Sequence, residues 1–215
     1  MNLDRSFTRR AAVVCLVLML ISGSGCSLPK IIILNDPLSA EEHIKLGRIY
    51  ETEGKSDLAM QQYETAAKQD AKSVTAYLLI GDLSYRNGMY DAAESAYEKA
   101  VKLQPGNGDI YNNLCWVYLK QNRKIDKAEQ LIKKAMAATP EHKGYYLDTM
   151  GVILLKLERP AESITALRQA LDLVPGDQSE YVAEIYTHLV EAYRKSGDEV
   201  RARAAEEEAN LRRKH

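Results

Sequence analysis

The chain has 215 residues, 46% hydrophobic and 27% charged, which is enough apolar content for a sizeable core and too much for a disordered protein. Its 29 basic and 30 acidic side chains give a formal charge of −1, and no stripe of Lys or Arg stands out, which excludes a nucleic-acid binder that works by neutralising phosphates. One folded domain is the default for this length.

At the N-terminus, Arg5, Arg9 and Arg10 precede the apolar run from Ala11 to Ile21, and the small residues Ser22-Gly23-Ser24-Gly25 lead to Cys26. A charged start, a hydrophobic segment too short to span a bilayer and a small-residue cleavage site together predict a secretion signal over residues 1–25. The Cys after that site resembles the lipobox of bacterial lipoproteins, although Gly23 stands where that family usually has Leu. The resemblance implies that Cys26 is acylated and becomes the new N-terminus. It also implies a bacterial envelope protein, lipid-anchored and facing the periplasm, and Ser27 after the Cys points to the outer membrane. Removal of residues 1–25 takes Asp4 and three arginines with it, leaving 26 basic and 29 acidic side chains and a net of −3. Cys15 is lost too, so Cys115 remains as the one thiol of the mature chain and no disulfide is expected.

Residues 26–38 read as a tether. Ile31-Ile32-Ile33-Leu34 lies between two prolines and is too short and β-branched for a helix of its own; as an exposed Ile run is an aggregation hazard, it is expected to pack on the first helical unit. Ser39-Ala40-Glu41-Glu42 fits a capping box, which starts a first helix running to about Glu53. Gly54 can then take the left-handed conformation that ends a helix without Cβ strain. Gly88, Asn122 and Gly197 are expected to do the same, with Glu158 as the exception, where Pro160 opens the next helix.

From here the chain repeats. Ile80-Gly81, Gly88, Ala93, Tyr97 and Ala100 return 34 residues upstream as Leu46-Gly47, Gly54, Ala59, Tyr63 and Ala66. Downstream the first-helix pair recurs as Leu114-Cys115, Met150-Gly151 and Leu189-Val190, and the second-helix trio as Ala128/Ile132/Ala135, Ser163/Leu167/Ala170 and Ala202/Glu206/Ala209. The period and the small-large-small pattern resemble the tetratricopeptide repeat, a helix-turn-helix unit that stacks into a solenoid. That resemblance implies an all-α, right-handed superhelical solenoid of about five units and about ten helices over residues 39–215, with repeats at about 40–73, 74–107, 108–143, 144–177 and 178–215. One extra residue near Arg123-Lys124-Ile125 and another near Lys143 fall at turns, and five extra residues between Pro175 and Tyr186 predict a fifth first helix that begins early, near Ser179. Glu206-Glu207-Glu208 followed by Arg212-Arg213-Lys214 suits a solubilising terminal helix.

Catalytic chemistry is not encoded. The four histidines are scattered, and no HExxH, CxxC, GxSxG or phosphate-binding glycine loop is present, so no metal, no cofactor and no small-molecule substrate is expected and the protein is read as a non-enzyme. Cys115 falls in the small-residue column, where burial would keep the thiol protonated and inert.

In tetratricopeptide proteins the first helices line a concave surface that holds a protein segment or peptide. Carried onto this chain, that surface is expected to include Leu78, Asp82, Tyr85, Asn112, Asn113, Trp116, Leu119, Asp148 and Val152. Asn113 has the place of asparagines that bond a bound peptide's backbone in some members, and Trp116 is the single Trp of the chain. The carboxylate clamp of the chaperone-binding members is missing, because Lys45 and Arg48 are the basic residues in these columns. A patch apolar at its centre and acidic at its edges, through Asp82 and Asp148, should favour an apolar anchor flanked by Lys or Arg. The function implied is a docking scaffold at the envelope, anchored to the membrane by lipid. Two narrower alternatives are a pilotin-like lipoprotein of type IV pilus assembly and an accessory to a C39-like cysteine peptidase. The latter is suggested by a short likeness of Asp36-Pro37-Leu38 and Glu41-Glu42-His43 to repeat segments attached to such peptidases.

Overall fold

The computed structural model describes residues 36–214; the expected signal segment, the Cys26 lipid site and residues 26–35 of the tether lie outside the described residues. The unit from Leu38 onward contains ten α-helices and, among the described residues, no strand. They are α1 (Ala40–Thr52), α2 (Ser56–Gln69), α3 (Val74–Arg86), α4 (Tyr90–Leu103), α5 (Gly108–Gln121), α6 (Ile125–Ala138), α7 (Lys143–Lys156), α8 (Pro160–Leu173), α9 (Ser179–Lys195) and α10 (Glu199–Arg212). Odd helices are the first of each pair and even helices the second. Each packs on its neighbours in sequence, and α5 with α7 and α7 with α9 also touch, the pattern of an all-α solenoid.

Local chemistry explains where the helices start and stop. Ser39 caps α1: its Oγ accepts from the Glu42 N–H at 3.3 Å, and the Ser39 N–H donates to Glu42 Oε2 at 2.7 Å, a complete capping box. The Ser39 contacts also hold the Glu42 carboxyl below its usual value. Every first helix ends the same way. In α1 the Gly54 N–H reaches Glu51 O at 2.9 Å and the Lys55 N–H reaches Tyr50 O at 2.8 Å, the paired hydrogen bonds of a Schellman turn, with Gly54 at φ 72°. The same pair recurs around Gly88, Asn122, Glu158 and Gly197, and Asn122 and Glu158 hold φ of 48° and 56° without being glycine. The expectation that Glu158 departs from the left-handed pattern is therefore corrected. Its carboxylate takes an ion pair from Lys195 at 2.8 Å, and Pro160 at the first position of α8 suits the chain leaving that turn.

The extra residues are absorbed at turns. Lys124 takes φ 54° just before α6, a short 3-10 turn over Pro140–His142 precedes α7, and α9 starts at Ser179, longer than its counterparts at 17 residues.

The small-residue column has a steric cause. A Cβ on Gly47, Gly81 or Gly151 would fall 2.4 Å, 2.5 Å and 2.5 Å from the ring of Tyr63, the ring of Tyr97 and the side chain of Leu167 respectively. First and second helices of a pair thus close onto a large residue opposite a missing side chain. Tyr63, Tyr97, Ile132 and Leu167 are all buried, as are the alanines at 59, 66, 93, 100, 128, 135 and 170, and the apolar packing falls into two clusters, a small one around Tyr63 and Leu83 in α1–α3 and a large one from α4 to α10.

Candidate functional site

The odd helices line two adjoining clefts. A smaller one of about 180 Å³ is bordered by Asp82, Tyr85 and Arg86 of α3, Tyr97 of α4, and Asn113 and Trp116 of α5. A larger one of about 520 Å³ shares Tyr85, Asn113 and Trp116 and continues over Asp109, Asn112, Lys120, Tyr145, Tyr146, Thr149, Tyr181 and Glu184. One residue period explains the sharing: Asn113 and Trp116 are three apart on α5, so they lie on one helical face, with Asn112 beside them.

Hydrogen bonds fix the walls. Tyr97 Oη donates to Asp82 Oδ1 at 2.6 Å, and Asn113 Nδ2 approaches the same oxygen at 3.4 Å, tying α3, α4 and α5 together. Thr149 Oγ1 donates to Asn112 Oδ1 at 2.7 Å, joining α7 to α5. Tyr146 Oη donates to Asp109 Oδ1 at 2.7 Å, and Tyr145 Oη to Gln178 Oε1 at 2.9 Å. Trp116 is half-buried, with its ring centroid 6.4 Å from that of His188. Burial pushes the Asp82 carboxyl above its usual value despite the Tyr97 hydrogen bond, and pushes the Tyr85 phenol up to about 12.

Of the nine groove residues expected from the sequence, Asp82, Tyr85, Asn112, Asn113 and Trp116 border these clefts. Four do not. Leu119 is 6% exposed and belongs to the core, because its position on α5 turns it toward the interior side of the array rather than the concavity. Asp148, expected as an acidic edge, is 1% exposed; it accepts from Tyr181 Oη at 3.1 Å and pairs with His188 Nδ1 at 2.7 Å. Its charge is satisfied inside α7 and α9, so it offers nothing at a rim. Leu78 and Val152 are half-buried against the core and border neither cleft.

Sequence reasoning missed Asp109, Tyr145 and Glu184, which occupy one column, three residues before Asn112, Asp148 and Thr187. It also missed Tyr181, which sits in the early turn that α9 adds to the repeat pattern. The signal was an aromatic and acidic column one turn nearer the N-terminus of each first helix. Cys115 is buried, its Sγ 3.3 Å from Ala128 O, and burial pushes its thiol up, which leaves little thiolate. Among the described residues no three His, Cys, Asp or Glu side chains converge as a metal would require, and no helix is long and apolar enough to cross a membrane.

Profiles described as tetratricopeptide repeat match residues 44–108, 84–153 and 145–177, overlapping or adjoining across most of the array. The chain belongs to the tetratricopeptide repeat family. Cellulose synthase operon protein C of Pseudomonas fluorescens (strain SBW25) is 29% identical over 92 residues, covering 43% of this chain and 7% of that protein. The chain thus spans a small fraction of the curated tetratricopeptide relatives it matches. Among solved structures it is similar to PilW, described as a widely conserved type IV pilus biogenesis factor, with a TM-score of 0.72 and 17% identity over 82% of this chain and 78% of that one. It is also similar to YrrB, described as a tetratricopeptide protein with an unusual peptide-binding site, with a TM-score of 0.62 and 19% identity over 81% of this chain and 86% of that one. Identities at this level establish the shared tetratricopeptide fold.

Proposed function

We propose that this protein is a non-enzymatic docking scaffold that captures an extended or helical segment of a partner protein in the cleft around Trp116. The observation that carries the reading is the pair of clefts that share Tyr85, Asn113 and Trp116, one of them continuing to Tyr181 of the last repeat. Aromatic anchors near the centre of a concave surface are where binding free energy concentrates, and hydrogen-bonded walls keep such a surface pre-formed. The tetratricopeptide family supports a protein or peptide as the ligand. The N-terminal sequence supports a lipid anchor at Cys26 and a place on the periplasmic side of a bacterial envelope, which would raise the local concentration of scaffold and partner at the membrane. Assembly of type IV pili is the narrower reading favoured by the fold shared with PilW.

The test is Trp116→Ala, measured against the physiological partner by calorimetry with circular dichroism alongside. Loss of a central aromatic anchor commonly costs about 2 kcal/mol or more, so affinity should fall at least about tenfold while helix content stays constant. Unchanged affinity, or a larger effect from substitutions on the even helices at Gln62 or Glu98, would move the site to the other face.

A further inference from the structure

The tyrosines that wall the larger cleft do more than supply apolar area. The hydroxyls of Tyr145, Tyr146 and Tyr181 all donate to protein acceptors, at 2.9, 2.7 and 3.1 Å, so what these residues can still offer a ligand is ring and an acceptor oxygen rather than an O–H donor. Asp109 is likewise engaged, by Tyr146 and by His142 Nδ1 at 2.9 Å. Glu184 differs. It is exposed on α9, borders the cleft, and has no ion-pair partner among the described residues.

The field of Glu184 reaches several sides of the space. It helps to hold the Tyr85 phenol of α3 up at about 12, after burial and Tyr90, and it adds to the upward push on Tyr181, after burial and Asp148. It also raises His188, where burial pulls the other way and Asp148, Glu184 and Glu191 together prevail. Of the basic residues around this space, Arg86 is paired with Glu51, Lys120 borders the cleft in the last turn of α5, and Arg212 and Arg213 line the adjoining pocket that Glu184 also borders; none of them forms an ion pair with Glu184 among the described residues. The cleft thus places the aromatic rings of Tyr85, Trp116 and Tyr181 beside a carboxylate that has no ion pair among the described residues, and a cation can interact with both.

We infer that the segment held here presents an arginine side chain, its guanidinium lying on the faces of Tyr85, Trp116 and Tyr181 with Glu184 as counter-charge. The inference rests on the docking role proposed above and names the chemistry of its ligand. Arginine fits better than lysine, because a planar and weakly hydrated guanidinium stacks on rings and meets a carboxylate with two parallel N–H donors. It differs from the apolar anchor expected from the sequence in that a charged group fills the space, with Glu184, rather than the buried Asp148, as its counter-charge.

Trp116, the single Trp, is a built-in fluorescence reporter at the site. The probes are short Gly/Ser peptides with one central Arg, citrulline, Lys or Leu, titrated into the full chain. The Arg peptide should bind about fivefold or more tighter than the citrulline peptide, which has the same shape without the charge. Glu184→Gln should weaken the Arg peptide about fivefold and leave the citrulline peptide unchanged, and added salt should narrow the difference. Glu184 is exposed and unpaired, so this variant keeps its fold. Equal binding of Arg and citrulline, tighter binding of Leu, tetramethylammonium ion binding as well as the Arg peptide, or no response from any probe each overturns the inference. The docking role is separable: a physiological partner weakened by Trp116→Ala but not by Glu184→Gln keeps the groove and removes the arginine, whereas a partner indifferent to both removes the two together.

Discussion

His188 is subject to two opposed demands, since burial disfavours its charged form while the carboxylate of Asp148 at 2.7 Å, helped by Glu184 and Glu191, favours it. The carboxylates prevail and its pKa lies above the ordinary 6.5. A value raised by folding means that the contribution of the pair is complete below the unfolded value and is lost as pH rises through the folded one. The stability advantage of wild type over His188→Gln should accordingly shrink in urea unfolding as pH rises above the ordinary histidine value of 6.5. A ring-proton titration by NMR should place the midpoint above that of an exposed histidine in wild type and lower it in Asp148→Asn; a wild-type midpoint at or below the ordinary value would contradict the assignment. The same pair shows why part of the site was illegible. Asp148 shares a sequence column with Asn112, which borders the cleft, and only His188 at its repeat position and Tyr181 in the early turn of α9, both across from it, decide that it turns into a closed network. Composition marks an acid; it does not say whether a neighbour has taken it.

Within a helix pair the decisive feature is the approach of α3 to α4 at Gly81. Alanine there would gain up to about 1 kcal/mol of helix propensity, but its Cβ would sit 2.5 Å from the ring of Tyr97, which is buried and anchored to Asp82. Overpacking a core of this kind costs roughly 1–3 kcal/mol, the larger effect, so Gly81→Ala should destabilise the protein in chemical denaturation. Gly106→Ala, with nothing within 4 Å, is the control and should be close to neutral. Equal behaviour of the two variants would show that the column is not sterically closed. Helices were the most legible part of the chain because each signal is local. The Ser39 capping box, the left-handed Gly54 and the early start of α9 depend on a few adjacent residues, as does the glycine column once its period is seen. Glu158 was not legible, since its left-handed turn follows from hydrogen bonds that α7 would make around any residue there, with Lys195 from a distant repeat holding the side chain.

At the scale of the whole protein, the proposed acylation of Cys26 would attach the repeats to a membrane by lipid. Palmitate labelling of cells making wild type or Cys26→Ser tests this, with label expected in the first and absent from the second; equal labelling, or a mature N-terminus elsewhere, would remove the anchor. The cleft itself carries a mechanical consequence. Tyr85 on α3 and Glu184 on α9 border the same space, although α4 through α8 lie between them in the chain. The array is held mainly by contacts between neighbouring helices, with α5–α7 and α7–α9 in addition, so its curvature is set repeat by repeat. An occupant that touches both walls is a strut across that curve. Filling the cleft would then hold that curve at one radius, because the occupant would resist any change in the separation of α3 and α9.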